Sequence, residues 1–191
     1  MEKSMNPSSR RSRQWITKAL LELMMEKPFN KITITEIADK ADVVRRTFYR
    51  NFDSKEDILR TYIYSIFLGY EERLSELKEY NPYKISKIYF EYMSRHKTFL
   101  KLLVDNDLFL LILRVSEDHI EEFSKKIKGP IIKDYSETFL EYFNAYNVSG
   151  MWQMLENWLN KGMLESVDEL AHIYEQIVLG DPHHRLKENN K

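Results

Sequence analysis

Apolar residues recur along this chain at three- and four-residue spacings, and nowhere do they alternate for long enough to build a strand. That period belongs to the α-helix, so the expected fold class is all-α. Five Gly and five Pro among 191 residues mark the few interruptions. The spacing predicts a first helix from Ser9 to Glu26 that buries Trp15, Ile16, Ala19, Leu20, Leu23 and Met24 and ends in the turn Lys27-Pro28-Phe29-Asn30. Two short helices follow. A long helix is then expected from Ser54 to Tyr80, with Ile58, Leu59, Tyr62, Ile63, Ile66, Phe67, Tyr70, Leu74 and Leu77 on one stripe. At about 1.5 Å per residue it would be roughly 40 Å long.

Asn81 is a natural cap and Pro82 fits the first helical position, opening a helix that turns Ile85, Ile88, Tyr89, Tyr92 and Met93 inward. Another helix is expected over Thr98 to Val104. The run Leu108 to Leu113 is so uniformly apolar that its helix should be buried nearly all round. Gly129-Pro130 breaks the chain, and Ile131 to Asn160 reads as one long helix or two abutting ones. Its residues Phe139, Phe143, Val148, Trp152, Leu155, Trp158 and Leu159 should face a partner surface, with Gly150 permitting close approach. Ser166 and Glu169 form a capping box for a last helix with the stripe Leu170, Ile173, Tyr174, Ile177 and Val178. The tail at 181–191 is expected to be disordered.

Composition narrows the function. Hydrophobic residues at 43% and charged residues at 31% suit a globular chain, and no apolar run approaches the roughly 20 residues of a membrane span. The polar, basic stretch Met1–Arg13 has no secretion-signal core behind it, so the cytoplasm is the expected compartment, with no membrane partner. Without cysteine there is no disulfide, thiolate zinc site or cysteine nucleophile. No phosphate loop, nucleophile elbow or paired metal-ligand helix occurs, and His96, His119 and the pair His183-His184 fit structural or solvated roles, so enzyme, metal and cofactor functions are not expected. Charge is uneven. Residues 1–60 hold 13 Lys/Arg against 9 Asp/Glu (+4), and residues 61–191 hold 16 against 21 (−5). A basic head on an acidic body is the layout expected when only the head meets phosphate.

The informative segment runs from Ile32 to Leu59. Thr33 and Glu36 form a capping box, Ile37, Ala38 and Ala41 give the helix an apolar face, and small Ala38 lets a second helix cross closely. Val43 marks a turn. Phe48 and Phe52, four residues apart, should bury one side of the second helix and leave Arg45, Arg46, Thr47, Tyr49 and Arg50 on or near the other, a side that fits a major groove. Asp53 and Glu56 read as a further capping box, which puts Lys55 in a first helical turn, where it can meet a phosphate. Thr33 and Thr35 sit where capping and DNA contact are compatible.

Over about residues 10 to 62 the chain closely resembles the TetR family of transcription regulators, on Ile37-Ala38, a tight turn, Thr47-Phe48-Tyr49, Phe52 and Lys55. The resemblance implies a three-helix helix-turn-helix DNA-binding head, residues 9–55 with its motif at 33–52, joined by a long helix to a helical-bundle body, 56–180. It implies that Arg45, Arg46 and Thr47 chiefly read base edges, with Tyr49 and Lys55 on phosphates and Val44 and Arg50 also among the DNA-binding residues, and that double-stranded operator DNA is the partner. It further implies a homodimer, for which Phe143, Trp152, Trp158, Ile173 and Ile177 are the candidate contacts. A body pocket for an unknown small-molecule effector would draw on Tyr62, Tyr89, Tyr92, Met93, Phe99, Leu103, Phe109 and Trp152. The carboxy-terminal segment with Trp152, Trp158-Leu159 and Gly162 is similar to the domain of a Firmicutes-type branch. A ligand-released repressor is the function these features suggest. Two positions depart from the pattern: Asp42 stands where Gly is usual and Val44 where a Ser-like cap is usual, which keeps open a co-regulator that binds a protein partner in place of DNA.

Overall fold

The computed structural model describes residues 7–79, 81–115 and 135–179, and among these every regular element is helical. The first helix, α1 (Pro7–Glu26), leads through a 3-10 turn (Phe29–Lys31) to α2 (Ile34–Lys40), α3 (Arg45–Asn51) and α4 (Lys55–Ser75). Then come α5 (Pro82–Ser94), α6 (Lys97–Asp105), a helical stretch at 110–115, α7 (Glu137–Asn160) and α8 (Val167–Leu179). The expected break at Gly129-Pro130, the start of a helix at Ile131 and the tail 181–191 lie outside the described residues. None of the described helices is long and apolar enough to cross a membrane, and none of the described His, Asp and Glu residues group as a metal site.

The chain divides into two compact units: Met1–Leu68 with Thr98–His119, and Gly69–Lys97 with Ile120–Lys191. The head expected at 9–55 therefore shares its unit with the first part of α4 and with α6. In this unit α1, α2 and α3 pack on one another. Ile16, Leu20, Ile37, Phe48, Ile58 and Leu59 are fully buried. In the second unit α5 lies along α8, with Ala171 and Ser86 buried between them and Tyr83 donating to Asp168 at 2.6 Å.

Local chemistry explains the helix ends. Thr33 accepts from the Glu36 N–H at 3.2 Å while the Glu36 carboxylate accepts from the Thr33 N–H at 2.9 Å, the reciprocal cap the sequence indicated. Asn81 Oδ1 accepts from Lys84 N–H at 2.8 Å, and Pro82 takes the first helical position. Three helices end in the same crossed pattern, in which the residue after the cap adopts a left-handed conformation. After α2 it is Asp42 (φ 53°), with Val43 N–H on Ala38 O at 3.0 Å and Asp42 N–H on Asp39 O at 3.1 Å. After α6 it is Asp107 (φ 58°), with Leu108 N–H on Leu103 O at 2.8 Å. After α7 it is Gly162 (φ 75°), with Met163 N–H on Trp158 O at 2.8 Å. Only the last uses the residue that enters this conformation without strain.

Several expectations change. Trp15 is 49% exposed, because it sits about 100° around the helix from the centre of the buried face of α1 and lines an open cleft with Lys18, Glu22, Lys40 and Asp42. The cap of α4 is Ser54, whose hydroxyl accepts from Asp57 N–H at 3.1 Å, and Asp57 reaches back to Asp53 N–H at 3.1 Å, so the box is one residue on from the pair Asp53 and Glu56. α4 stops at Ser75 and not at Tyr80, its last turn tightening into bonds such as Leu77 N–H on Leu74 O at 3.0 Å. The run Leu108–Leu113 is not buried all round: Phe109 and Ile112 are inside, while Leu110 is 66% exposed. A Cβ on Gly150 would meet nothing within 4 Å among the described residues, so the close approach expected there is absent. It occurs instead at Gly69, where the Tyr92 phenol occupies the space a side chain would need.

Candidate nucleic-acid interface

α3 owes its position to its buried side. Phe48 and Phe52 are inside the head with ring centroids 6.3 Å apart, and Asn51 beside them is buried as well. At about 100° per residue, that side leaves an arc of roughly 140° holding Arg45, Tyr49, Arg46 and Arg50. All four are exposed, and Thr47 lies half-buried at the edge. Among the described residues no hydrogen bond or ion pair engages Arg45, Arg46 or Arg50. Tyr49 packs edge-on against Phe48 at 5.4 Å with half its surface open. Val44 precedes α3 in an extended conformation with no side-chain cap, and its carbonyl alone starts the helix, accepting from Thr47 N–H at 2.8 Å. Three uncompensated guanidinium groups on one face can donate in pairs to guanine O6 and N7 or to phosphate oxygens.

Polar groups that sequence reasoning missed hold this helix in place. Arg13 of α1 donates to the Asn51 carbonyl and, at 3.2 Å, to Thr61 Oγ1, with its guanidinium 4.1 Å over the Phe52 ring. Asn51 accepts from Ser9 Oγ at 2.8 Å and donates to Thr47 O at 2.7 Å. The carboxy-terminal end of α3 is thereby tied to α1 and α4, leaving its other side for a ligand.

The amino-terminal end of α2 is similarly committed. Thr33 uses its hydroxyl within the cap, donating to Glu36 at 2.8 Å, while Thr35 is exposed. The Glu36 carboxyl is held down to about 2, chiefly by the Lys27 ammonium, then by the backbone N–H and hydroxyl of Thr33. Lys55 is placed in the first turn of α4 as expected, but its ammonium folds back onto the turn at 29–32. It donates to Phe29 O at 2.7 Å and Ile32 O at 2.9 Å, and lies 4.4 Å over the Phe29 ring. One donor of three is left for a phosphate. Asn106, at the end of α6, grips the same turn by accepting from Phe29 N–H at 2.7 Å.

The body candidates fall in both compact units. Of the eight pocket candidates, Tyr62, Phe99, Leu103 and Phe109 belong to the first unit, where Tyr62 meets Phe99 edge-on at 4.7 Å. Tyr89, Tyr92, Met93 and Trp152 belong to the second. Of the dimer candidates, Trp152 and Trp158 are buried within the chain, Trp158 donating to Glu165 O at 3.0 Å, so they are not available to a partner. Phe143 is half-buried, and Ile173 and Ile177 are exposed.

A capped helix, a tight left-handed turn and a buried-backed helix with free arginines define the helix-turn-helix head of a transcription regulator. Two family profiles match the chain: bacterial regulatory proteins of the tetR family over residues 16–62, and a transcriptional regulator C-terminal region over residues 80–180. The chain belongs to the TetR family of bacterial transcription regulators, which is not a family of enzymes. Among solved structures it is similar to the fatty acid degradation regulator FadR of Bacillus halodurans, with TM-score 0.65 and 18% identity over 96% of this chain and 100% of that one. The dihydroxyacetone kinase operon activator DhaS is similar at TM-score 0.56 and 18% identity, over 88% of this chain and 94% of that one. At such identity the likeness shows a shared fold. No curated protein matches the sequence.

Proposed function

We propose that the protein is a cytoplasmic homodimer that occupies an operator, represses transcription there, and leaves when a small molecule binds its body. The observation that carries the DNA reading is the outward face of α3, where Arg45, Arg46 and Arg50 lack any protein counter-charge among the described residues and Phe48 and Phe52 fix their backbone. One such helix reads too few base pairs, and a dimer on two half-sites supplies the rest. The surface that supports a dimer lies on α7 and α8: Tyr142, Tyr146, Ile173 and Ile177 are exposed, and Tyr135, Phe139 and Phe143 stack in a ladder with centroids 4.3 and 5.7 Å apart. Exposed aromatic and aliphatic groups in such number favour a partner surface. To release the operator, the effector must bind one separation of the two heads better than the other. Activation in place of repression is the second reading, supported by the likeness to the dihydroxyacetone kinase operon activator DhaS.

The test is an anisotropy titration of the purified protein against genomic fragments, including the DNA beside its own gene, at fixed salt with nonspecific competitor. Saturable, selective binding by a dimer is expected. Failure to select any fragment would reject the operator reading in favour of a protein-binding co-regulator, and a transcription assay with the operator in hand separates repression from activation.

A further inference from the structure

Side chains fasten the start of α1 to the end of α3 and leave two guanidinium groups outside the fastening. Ser9 Oγ donates to Asn51 Oδ1 at 2.8 Å. One turn on, Arg13 donates to the Asn51 carbonyl and, at 3.2 Å, to Thr61 Oγ1, with its guanidinium over the Phe52 ring. Arg10 and Arg11 lie between these two anchors. Both are exposed, and among the described residues no hydrogen bond or ion pair engages either. Neither charge serves the helix itself, because the first turn of α1 favours carboxylates over cations and holds none.

Helical geometry separates the two arginines. Arg10 is three residues before Arg13, so it lies about 60° round from Arg13 and one turn nearer the start of α1; Arg11 lies about 160° round, on the opposite side. The Arg13 side is the one that meets the last turn of α3. Arg10 is therefore carried to the end of α3, where Arg50, next in sequence to Asn51, ends the outward face that holds Arg45 and Arg46. Arg10 extends that uncompensated positive charge past the helix, from a different element. Beyond the end of a helix seated in a major groove runs a sugar-phosphate strand, which carries charge but no base edges. A guanidinium donates to such phosphate oxygens in pairs.

We propose that Arg10 contacts a backbone phosphate at the edge of the groove that α3 enters, so that the start of α1 joins α3 in holding DNA. The inference rests on the operator reading above. Ser9, Asn51 and Arg13 are positioning residues in this arrangement, since their bonds set Arg10 beside α3 before DNA arrives. The contact contributes affinity and register without selecting bases. Arg11, of the same chemistry and one residue away, stays in solvent.

The experiment is an anisotropy titration over a salt series, with the full-length protein and its Arg10→Ala, Arg10→Lys and Arg11→Ala variants, on the selected operator fragment and on a random-sequence duplex. Arg10→Ala should weaken binding to both duplexes on the order of ten-fold at about 0.1 M salt and lower the slope of log affinity against log salt by about one. Arg10→Lys should restore most of the slope, and Arg11→Ala should cost less than about two-fold. No variant removes a contact within the protein, so their circular dichroism should match wild type. Unchanged affinity and slope in Arg10→Ala would overturn the contact. Equal losses in Arg10→Ala and Arg11→Ala would overturn it too, by reducing the effect to net charge, and so would a loss on the operator alone, which would mean a base. A wild type that binds both duplexes alike would sink the operator reading, while the Arg10→Ala slope on the random duplex would still decide this contact. Binding to neither duplex would overturn both.

Discussion

Replacing Lys55 with methionine keeps the aliphatic stem and removes the ammonium that closes the turn at 29–32. Two charge-assisted bonds, to Phe29 O at 2.7 Å and Ile32 O at 2.9 Å, disappear with it, as does the contact over the Phe29 ring. Bonds to a charged group contribute about 1.5–3 kcal/mol each, but Lys55 is only half-buried and water can replace part of them. The ring contact adds about 0.5–1 kcal/mol at such a position. The discounted loss is about 2–3 kcal/mol. Because Ile32 N–H also donates to Phe29 O, at 3.1 Å, its amide reports directly on the turn. The assay is native-state hydrogen exchange at Ile32, run beside denaturant unfolding, with Lys55→Met expected to speed exchange on the order of 30- to 150-fold. Operator affinity should fall on all sequences alike and its salt dependence should flatten only if the remaining donor meets a phosphate. Unchanged exchange and stability, with DNA binding abolished, would refute the clamp and return Lys55 to the phosphate alone.

Asp42→Gly should stabilise the head by up to about 1 kcal/mol, since φ 53° strains any residue with a Cβ; calorimetry showing destabilisation would reject the strain. Glu36, held down to about 2 against an ordinary 4.5, contributes stability that is fully present above about 4.5 and lost as pH falls towards 2. In a circular-dichroism titration Glu36→Gln should therefore lose the part of the acid transition that lies in that window, and parallel curves would contradict the assignment. Arg46→Ala and Tyr49→Phe should weaken operator binding, Arg46→Ala by about 1–3 kcal/mol, with fold and dimer intact by scattering. Unchanged affinity in both variants would remove α3 as the reading helix.

What could be seen in the sequence was what neighbouring residues decide among themselves. The Thr33–Glu36 box, the Asn81-Pro82 start and the apolar pair Phe48 and Phe52 each join residues no more than four positions apart, and each stands where the spacing put it. At Asp42 the resemblance gave notice, because Gly is usual there, whereas the same left-handed conformation at Asp107 gave no such warning. Lys55 was visible as a basic residue in a first helical turn, but its partners are main-chain carbonyls 23 and 26 residues away. A carbonyl carries no residue signature, so nothing in the letters marks it as an acceptor. Arg13 reaches the Asn51 carbonyl across 38 residues and escaped for the same reason, and Asn106 accepts from the Phe29 N–H across 77, a main-chain group equally without a signature.

The body shows a second limit. Helical spacing tells which side of a helix is apolar without telling which neighbour it meets: Tyr62 and Phe99 fall in one compact unit, Tyr89 and Trp152 in the other, a division the letters do not mark. The same blindness put Trp152 and Trp158 on a partner surface when α7 turns them into its own unit and shows Tyr142 and Tyr146 outward. Hydrophobic patterning also treats Tyr89 and Phe90 as equivalent, since both fill core volume. They differ by one oxygen, and its worth depends on whether anything meets it. A tyrosine with a satisfied hydroxyl, such as Tyr174 on Asn147, is structural; one whose hydroxyl is buried and unmet carries a cost that must be offset elsewhere.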